Sequence, residues 1–415
     1  MMEATGSGQR VRPSHVLAAA ALAAPPLALV SGLAMAPLFV VAVAGVLATG
    51  WRQRPWTAFP HGLAVAMAAI VVWAGLSAAW AIHPGQSLYA AFILALQTAG
   101  GAVLVGAART LDEGGRRRVA RGLVVGLGLA LAYVAVDFAG DMVLTRMIHH
   151  LGASGDVTPW FVATRVSRGI TVDVLLLWAG CLGLVRLGAP RRSWLLLVAA
   201  VAVAVFALHT LAAKIAVVAG LALLLAGRRV VGAAGKVLPA LAFVTVMMAP
   251  VAAHYIPPPQ ESADLHLVPP VLHHRLTIWR FVGERILDKP LAGWGIEASR
   301  DIPGGEDRVD VVFAAGGPSD EQMLPLHPHN AVLQWWLELG GIGAVLFAVL
   351  AARLFRAAAA LPPALAAAAL ATLLDGFVSS LVSYGFWQAW WQSSLWLTAM
   401  ALIAVAGKAD DPHFE

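Results

Sequence analysis

Apolar residues dominate this chain in long, nearly unbroken runs, and polar residues are confined to the stretches between them. About 20 predominantly apolar residues suffice to cross the hydrocarbon of a bilayer as a helix. Runs of that kind lie near 16–33, 36–50, 62–81, 87–107, 120–140 and 170–186, and again near 194–209, 212–227, 231–251, 331–352, 358–383 and 389–407. The pattern predicts an all-α polytopic membrane protein with about 12 transmembrane helices. Region 16–50 is nearly continuous, and only Pro25, Pro26, Gly32 and Pro37 argue for two spans there in place of one. Arg10 and Arg12 ahead of the apolar run from Val16 have the look of a signal peptide, but the prolines and the further spans favour a retained first span.

Two of the connecting segments are long. The organisation expected is an inner N-terminal tail over 1–15, spans 1–9 over 16–251 with an outer loop at about 141–169, a long outer loop over 252–328, spans 10–12 over 329–407, and an inner C-terminal tail over 408–415.

Composition changes the picture only by closing alternatives. Hydrophobic residues make up 60% of the 415 and charged residues 12%, against about 25% charged in a soluble domain. A soluble fold has to present a charged exterior, so none of this size fits, nor does a disordered or disulfide-stapled chain. The lone Cys181 lies inside an apolar run and reads as a core residue. The net charge of +5 could suggest nucleic acid, but the basic residues follow topology and form no patch. With both termini inside, 18 of the 28 lysines and arginines fall on short inner segments, as the positive-inside rule requires. Most histidines fall outside: His83, His149, His150, His209, His254, His266, His273, His274, His327 and His329, with only His15, His61 and His413 excepted. Charges within spans are few; the notable ones are Asp137, Asp173, Lys214, Glu338 and Asp375, all but the last near span ends. A proton or ion relay usually sets several carboxylates at mid-depth, which weighs against transport.

The outer side is where chemistry is expected. Residues 273–288, HHRLTIWRFVGERILD, read as an amphipathic helix with Leu276, Trp279, Val282 and Ile286 within about 120° of one another. Arg285 points away from that arc, whereas Arg275 falls inside it. A guanidinium on an apolar face either snorkels to lipid headgroups or meets an anion, and its planar fork suits phosphate. The long loop ends at LHPHN, where His329 and Asn330 open a span. A histidine at such a boundary can serve as general base, or simply be satisfied by water. His327 and His329 with His273 and His274 have no third ligand type at zinc-like spacing. At 100° per residue Gly340 and Gly343 return to within about 40° of the face of His329, so their expected work is close helix packing. Arg168 and Lys214 stand at outer span mouths, as headgroup anchors or, with Arg275 and His329, as a site for a polyanionic lipid.

In this order, SRGITVDVLLLW, KIAVVAGLALLL, RLTIWRFVGERILDKPLAGWG and HNAVLQWWLELGGIG resemble the lipopolysaccharide O-antigen ligase family, whose membrane domain is shared with O-antigen polymerases. The last piece fits that family's His-Asn, nine residues, Gly, two residues, Gly pattern at His329, Asn330, Gly340 and Gly343. The resemblance runs over roughly 15–407. It implies a GT-C-type glycosyltransferase of the bacterial inner membrane, with its outer loops in the periplasm and with no cofactor, metal or nucleotide sugar. Such an enzyme moves a glycan from undecaprenyl diphosphate to the lipid A-core acceptor. By motif, His329 would be the catalytic base, and Arg275, Arg168 and Lys214 would hold the donor pyrophosphate. Asn330, His327, Arg280, Gly340 and Gly343 would support them. The family usually has arginine where this chain has Lys214, so a point charge replaces a bidentate contact there. A polymerase or another lipid-linked-glycan transferase is the alternative of the same fold. A transporter or lipid flippase is the alternative of another class.

Overall fold

A computed structural model describes residues 11–149, 159–208, 210–258, 270–313 and 317–407. Residues 1–10 of the tail expected over 1–15, the tail expected over 408–415, residues 150–158 of the first long loop and 259–269 and 314–316 of the second lie outside the described residues. So do His150, His209, His266 and His413. The helices are α1 (Pro13–Val30), α2 (Met35–Gly50), α3 (His61–Ser77), α4 (Pro84–Arg109), α5 (Glu113–Ala139), α6 (Val143–Ile148), α7 (Pro159–Arg186), α8 (Arg191–Ala207), α9 (Leu211–Leu225) and α10 (Arg228–His254). After them come α11 (Pro270–Asp288), the strands β1 (Arg308–Phe313) and β2 (Gly317–Gln322), then α12 (Ala331–Ala359), α13 (Pro363–Val382) and α14 (Ala389–Ala406). Among the described residues nine helices are long and apolar enough to cross a membrane, and α3, α8 and α9 are shorter apolar helices. The chain is a multi-pass, predominantly helical membrane protein.

Region 16–50 forms two helices. The break falls at Ser31, which is extended, and at the single 3-10 turn Gly32–Ala34. Pro25 and Pro26 do not make it: both sit inside α1. Their missing N–H groups leave the carbonyls of Ala21 and Leu22 without helical partners. Gly126 of α5 lies against those two oxygens, close enough that a Cβ there would be 2.4 Å from Leu22 O and 3.1 Å from Ala21 O. Interruptions of this kind are tolerated in membranes where a neighbouring helix covers them.

The chain divides into two compact units. The first takes in the described parts of Met1–Phe59, Ala99–Val201 and Trp396–His413. In it α1 packs against α5 and α7. Two buried arginines close the C-terminal end of α14. Arg186 donates Nε to Val405 O at 2.6 Å and Nη2 to Ala406 O at 3.2 Å, and pairs with Glu113 through Nη1. Arg116 donates Nη1 to the carbonyls of Ile403 and Ala404 at 3.3 and 3.2 Å.

The second unit takes in Pro60–Thr98 and the described parts of Ala202–Leu395. Its axis is α12, packed against α10 and α3. Ile278, Phe281, Val282 and Ile286 of α11 pack on Leu333 and Leu337 of α12. The buried arc of α11 is thus turned slightly from the expected one. Ile278 and Phe281 carry it, Leu276 and Trp279 are only half-buried, and Arg275 remains inside it. Beyond its amphipathic helix, the long loop holds the antiparallel hairpin β1–β2, registered Asp310 opposite Asp320. Its second strand, GPSDEQ, carries residues depleted in strands, so the polar stretch looked like loop. His274 ties the hairpin to α11, its Nε2 donating to Gln322 O at 2.9 Å.

Candidate active site

Three elements of the second unit converge before α12. The end of α13 and the turn 383–388 that follows it offer the backbone carbonyls of Val382 and Ser383, α11 offers Arg275, and residues 327–330 offer His327, His329 and Asn330.

His329 stands outside the helix. Its φ of 53° puts it in the left-handed region, a conformation that persists only where the surroundings over-determine it. They do. The preceding carbonyl, Pro328 O, accepts Trp279 Nε1 of α11 at 2.9 Å. The backbone N–H of His329 donates to His327 Nδ1 at 3.1 Å, and the two rings lie 4.2 Å apart. Asn330 then caps α12, its Oδ1 accepting Leu333 N at 3.1 Å.

The side chain of His329 is fixed as firmly. Nδ1 lies 3.0 Å from Ser383 O. A carbonyl only accepts, so Nδ1 carries the proton, and in the neutral ring Nε2 keeps the lone pair. Burial holds this histidine below its ordinary value. The charges of Arg275 and His274 act in the same direction, and the Ser383 carbonyl opposes them. At neutral pH the ring is therefore uncharged and able to take a proton.

Arg275 is half-buried and donates Nη1 to Val382 O, the carbonyl next to the one that His329 uses. Burial draws its pKa down, with Tyr384 acting the other way, yet a guanidinium stays charged at neutral pH. It forms no ion pair with a carboxylate among the described residues. With five N–H donors in a fork, it retains donors for an anion.

The other expected residues are placed less centrally. Lys214, near the start of α9, lies 5.7 Å from the ring centroid of Phe206. Arg168 is exposed on α7, in the first unit. Arg280 turns to the end of α10, donating to Ile256 O at 2.5 Å and pairing with Glu284 at 3.3 Å. Among the described residues no three His, Cys, Asp or Glu side chains form a metal-ligating group.

The shared helix face of His329, Gly340 and Gly343 is corrected by two facts: His329 precedes the helix, and α12 is broken at Gly340, where φ is 66° and ψ −168°. Counting at 100° per residue does not carry through such a break. The break exchanges backbone partners with the segment KPLAGWG after α11. Gly341 N donates to Pro290 O at 2.8 Å and Ile342 N to Leu291 O at 3.3 Å. In return, the two carbonyls that those N–H groups would meet in a continuous helix, Leu337 O and Glu338 O, accept Trp294 N at 2.9 Å and Gly295 N at 2.8 Å. Leu339 O accepts Trp73 Nε1 at 2.9 Å. Each backbone group freed by the break and named here finds a partner, as burial demands. Both glycines facing each other across this joint are required: a Cβ on Gly340 would lie 2.3 Å from Leu291 O, and one on Gly293 would lie 2.5 Å from Glu338 O. Gly343 lies close against Leu339: a Cβ there would be 2.3 Å from Leu339 Cβ.

Sequence reasoning passed over the turn 383–388 altogether, and it noted Glu338 only as a charge near a span end. Backbone carbonyls leave no mark in a sequence. The one available signal was SYGFWQAWWQ itself, a cluster of aromatic and amide residues at the junction of the spans expected near 358–383 and 389–407.

No family model matches the chain. Curated proteins do. A Rickettsia conorii protein named "Putative polysaccharide ligase" is 26% identical over 359 residues, covering 85% of this chain and 82% of that protein. A Rickettsia felis protein of the same name is 26% identical over 339 residues, 80% of this chain and 78% of that protein. One from Rickettsia prowazekii is 32% identical over 162 residues, 38% of this chain and 39% of that protein. Most of this chain is thus similar to bacterial proteins named for polysaccharide ligation, in keeping with the O-antigen ligase family that its motifs resemble.

Proposed function

We propose that this protein is an O-antigen ligase, a GT-C-type glycosyltransferase of the bacterial inner membrane with twelve spans, α3, α8 and α9 among them, and its active site facing the periplasm. The donor is a glycan on undecaprenyl diphosphate and the acceptor is lipid A-core. The observation that carries the reading is one turn holding a neutral, Nδ1-protonated His329 beside Arg275, a cation with donors to spare.

The reaction follows from those two groups. An acceptor hydroxyl attacks the anomeric carbon of the donor sugar, and Nε2 of His329 takes its proton. The new C–O bond forms as the bond from the anomeric carbon to the diphosphate oxygen breaks, and its electron pair leaves with the lipid diphosphate. Arg275 stabilises that growing charge in a partly desolvated setting. Lys214 contributes further positive charge along the lipid-linked donor. Because the leaving group is already attached, no metal or nucleotide is called on. A single base without a second carboxylate nucleophile gives one displacement and inversion at the sugar; a product with retained configuration would exclude that course.

The test is lipopolysaccharide from cells lacking the protein, run on a gel. A ligase predicts loss of every long-glycan band while lipid-linked glycan accumulates. Loss of chain length with one repeat still attached would assign a polymerase instead.

A further inference from the structure

One buried carboxylate in the second unit has no part in the proton transfer above, yet it gathers more hydrogen bonds than either reacting group. Glu338 is fully buried. Its Oε1 accepts Gln334 Nε2 at 3.0 Å and Ser299 Oγ, and its Oε2 accepts Glu297 N at 2.5 Å and Trp387 Nε1 at 2.6 Å. Four donors around one carboxylate explain how it is tolerated in an apolar helix bundle.

The donors belong to two sides. Ser299 and Glu297 lie on the segment that follows KPLAGWG, so they fasten that segment to α12. Gln334 and Trp387 face the turn 383–388. Gln334 is the intermediary: its Nε2 donates to Glu338 while its Oε1 accepts Phe386 N at 2.8 Å. Trp387 is in the turn itself. Followed backwards, Phe386 and Trp387 are pinned by Gln334 and Glu338. Gly385 lies against the His327 ring, so closely that a Cβ there would be 2.8 Å from it. Ser383 O accepts His329 Nδ1 and Val382 O accepts Arg275. The stretch that aims both reacting groups is thus held, at its far end, by one carboxylate.

We propose that Glu338 is the positioning residue of this site: through Gln334 and Trp387 it fixes the turn 383–388, so that Ser383 O in the turn and Val382 O immediately before it orient His329 and Arg275. The geometry rests on the ligase reading for its function but not for its mechanics, and the two separate experimentally. Misplacing reacting groups by about 1 Å costs on the order of 10²-fold in rate. A loosened turn also withdraws the Ser383 carbonyl from His329. That carbonyl opposes burial and raises the histidine, so its loss moves the His329 titration to lower pH. The other ionisable neighbours of His329 are Arg275 and His274 on α11 and His327 before it, with Tyr384 beside Arg275; the substitutions below leave all four in place.

The experiment uses the full-length protein in phospholipid vesicles. Glycan transfer from a purified undecaprenyl-diphosphate donor is measured, and the His329 ring is titrated by NMR with histidine-selective nitrogen labelling, assigned against His329→Gln. Glu338→Gln and Trp387→Phe are each expected to lower kcat, by about 10² for the first and about tenfold for the second, and to shift the His329 titration downward. Ser299→Ala, on the other side of the carboxylate, is expected to leave the titration where it is. Trp387→Phe keeps the test alive if Glu338→Gln fails to fold, since it removes the N–H while keeping an aromatic ring in place. An unmoved His329 titration in Trp387→Phe overturns the proposal, and so does a shift in Ser299→Ala equal to that in Trp387→Phe, because Glu338 would then merely fasten the loop. If His329→Ala transfers glycan at the wild-type rate, the ligase mechanism fails instead, and the titration alone decides the role of Glu338.

Discussion

Arg186 in the first unit and Arg275 in the second both lie off the surface of a helical membrane protein, and both point at the carbonyls that end a helix. Their surroundings differ in one respect. Arg186 spends its donors on Val405 O, Ala406 O and the carboxylate of Glu113, so its charge and its fork are matched by protein. Arg275 meets Val382 O and has no carboxylate partner among the described residues. A cation at a helix C-terminus complements the helix dipole, and for Arg186 that is a sufficient account. For Arg275 it leaves charge and donors over, next to an uncharged histidine. Burial of a cation thus does not distinguish a structural arginine from a binding one; what remains unmatched does.

The comparison breaks first at the histidine, whose loss has the largest expected effect. His329→Ala removes the proposed base, and general-base contributions run from about 10² to 10⁴. Glycan transfer should fall by at least the lower figure while the protein still inserts to wild-type level, as a membrane fraction immunoblot beside a transfer assay would show. A variant with a normal rate places the base elsewhere.

The two arginines come next, and they should fail in different ways. Arg275→Ala is expected to cost about 10²–10³ in transfer, the range for removing one charge-stabilising donor, with little change in abundance. Arg186→Ala leaves two helix-end carbonyls and Glu113 unmatched, for a loss of stability on the order of 3 kcal/mol. It should appear as lower abundance and earlier thermal unfolding in detergent, with the remaining folded protein turning over normally. Reversed phenotypes would undo the distinction drawn between them.

How much of this was legible follows from what kind of signal each feature sends. The apolar runs mark the helices because a bilayer imposes length and hydrophobicity on every span, and α12 begins at Ala331 where its run was expected to begin. Arg275 was legible because a charge on an apolar arc is anomalous at 100° per residue. The end of α1 was not placed by its prolines, because α5 covers the carbonyls they free. Gly340 was legible as important but not as a break: its left-handed backbone depends on the loop 290–295 exchanging hydrogen bonds with it, a contact far off in sequence. The turn 383–388 was illegible because its contribution is made by backbone oxygens. Arg168 and Lys214 match the motif, but their placement beside Phe206 or in the other unit comes from packing that no short pattern encodes.

Gly340→Ala sharpens that point and should have an intermediate effect. A residue with a Cβ held at φ 66° and ψ −168° costs about 1–3 kcal/mol, and here the new atom would also stand 2.3 Å from Leu291 O. The joint between KPLAGWG and α12 should open, reducing both thermal stability and transfer. An Ala variant with wild-type unfolding temperature would mean that α12 runs on unbroken through this position.

The smallest expected effect is the most specific. His274 lies on α11, and its charge helps to hold His329 below the ordinary histidine value. His274→Gln removes that charge but keeps an N–H able to donate to Gln322 O, so the hairpin stays tied to the helix. With one lowering influence gone, His329 should titrate at higher pH. A base is active only when deprotonated, so activity is lost as pH falls through its pKa, and the acid limb of the kcat/KM profile should move to higher pH in the variant. Trp387→Phe acts on the same histidine through the Ser383 carbonyl and should move that limb the opposite way. Opposed shifts from two residues on different elements, one removing a like charge and the other loosening an acceptor, are what a single His329 base held between α11 and the turn 383–388 requires; shifts of the same sign would mean that the limb belongs to another group.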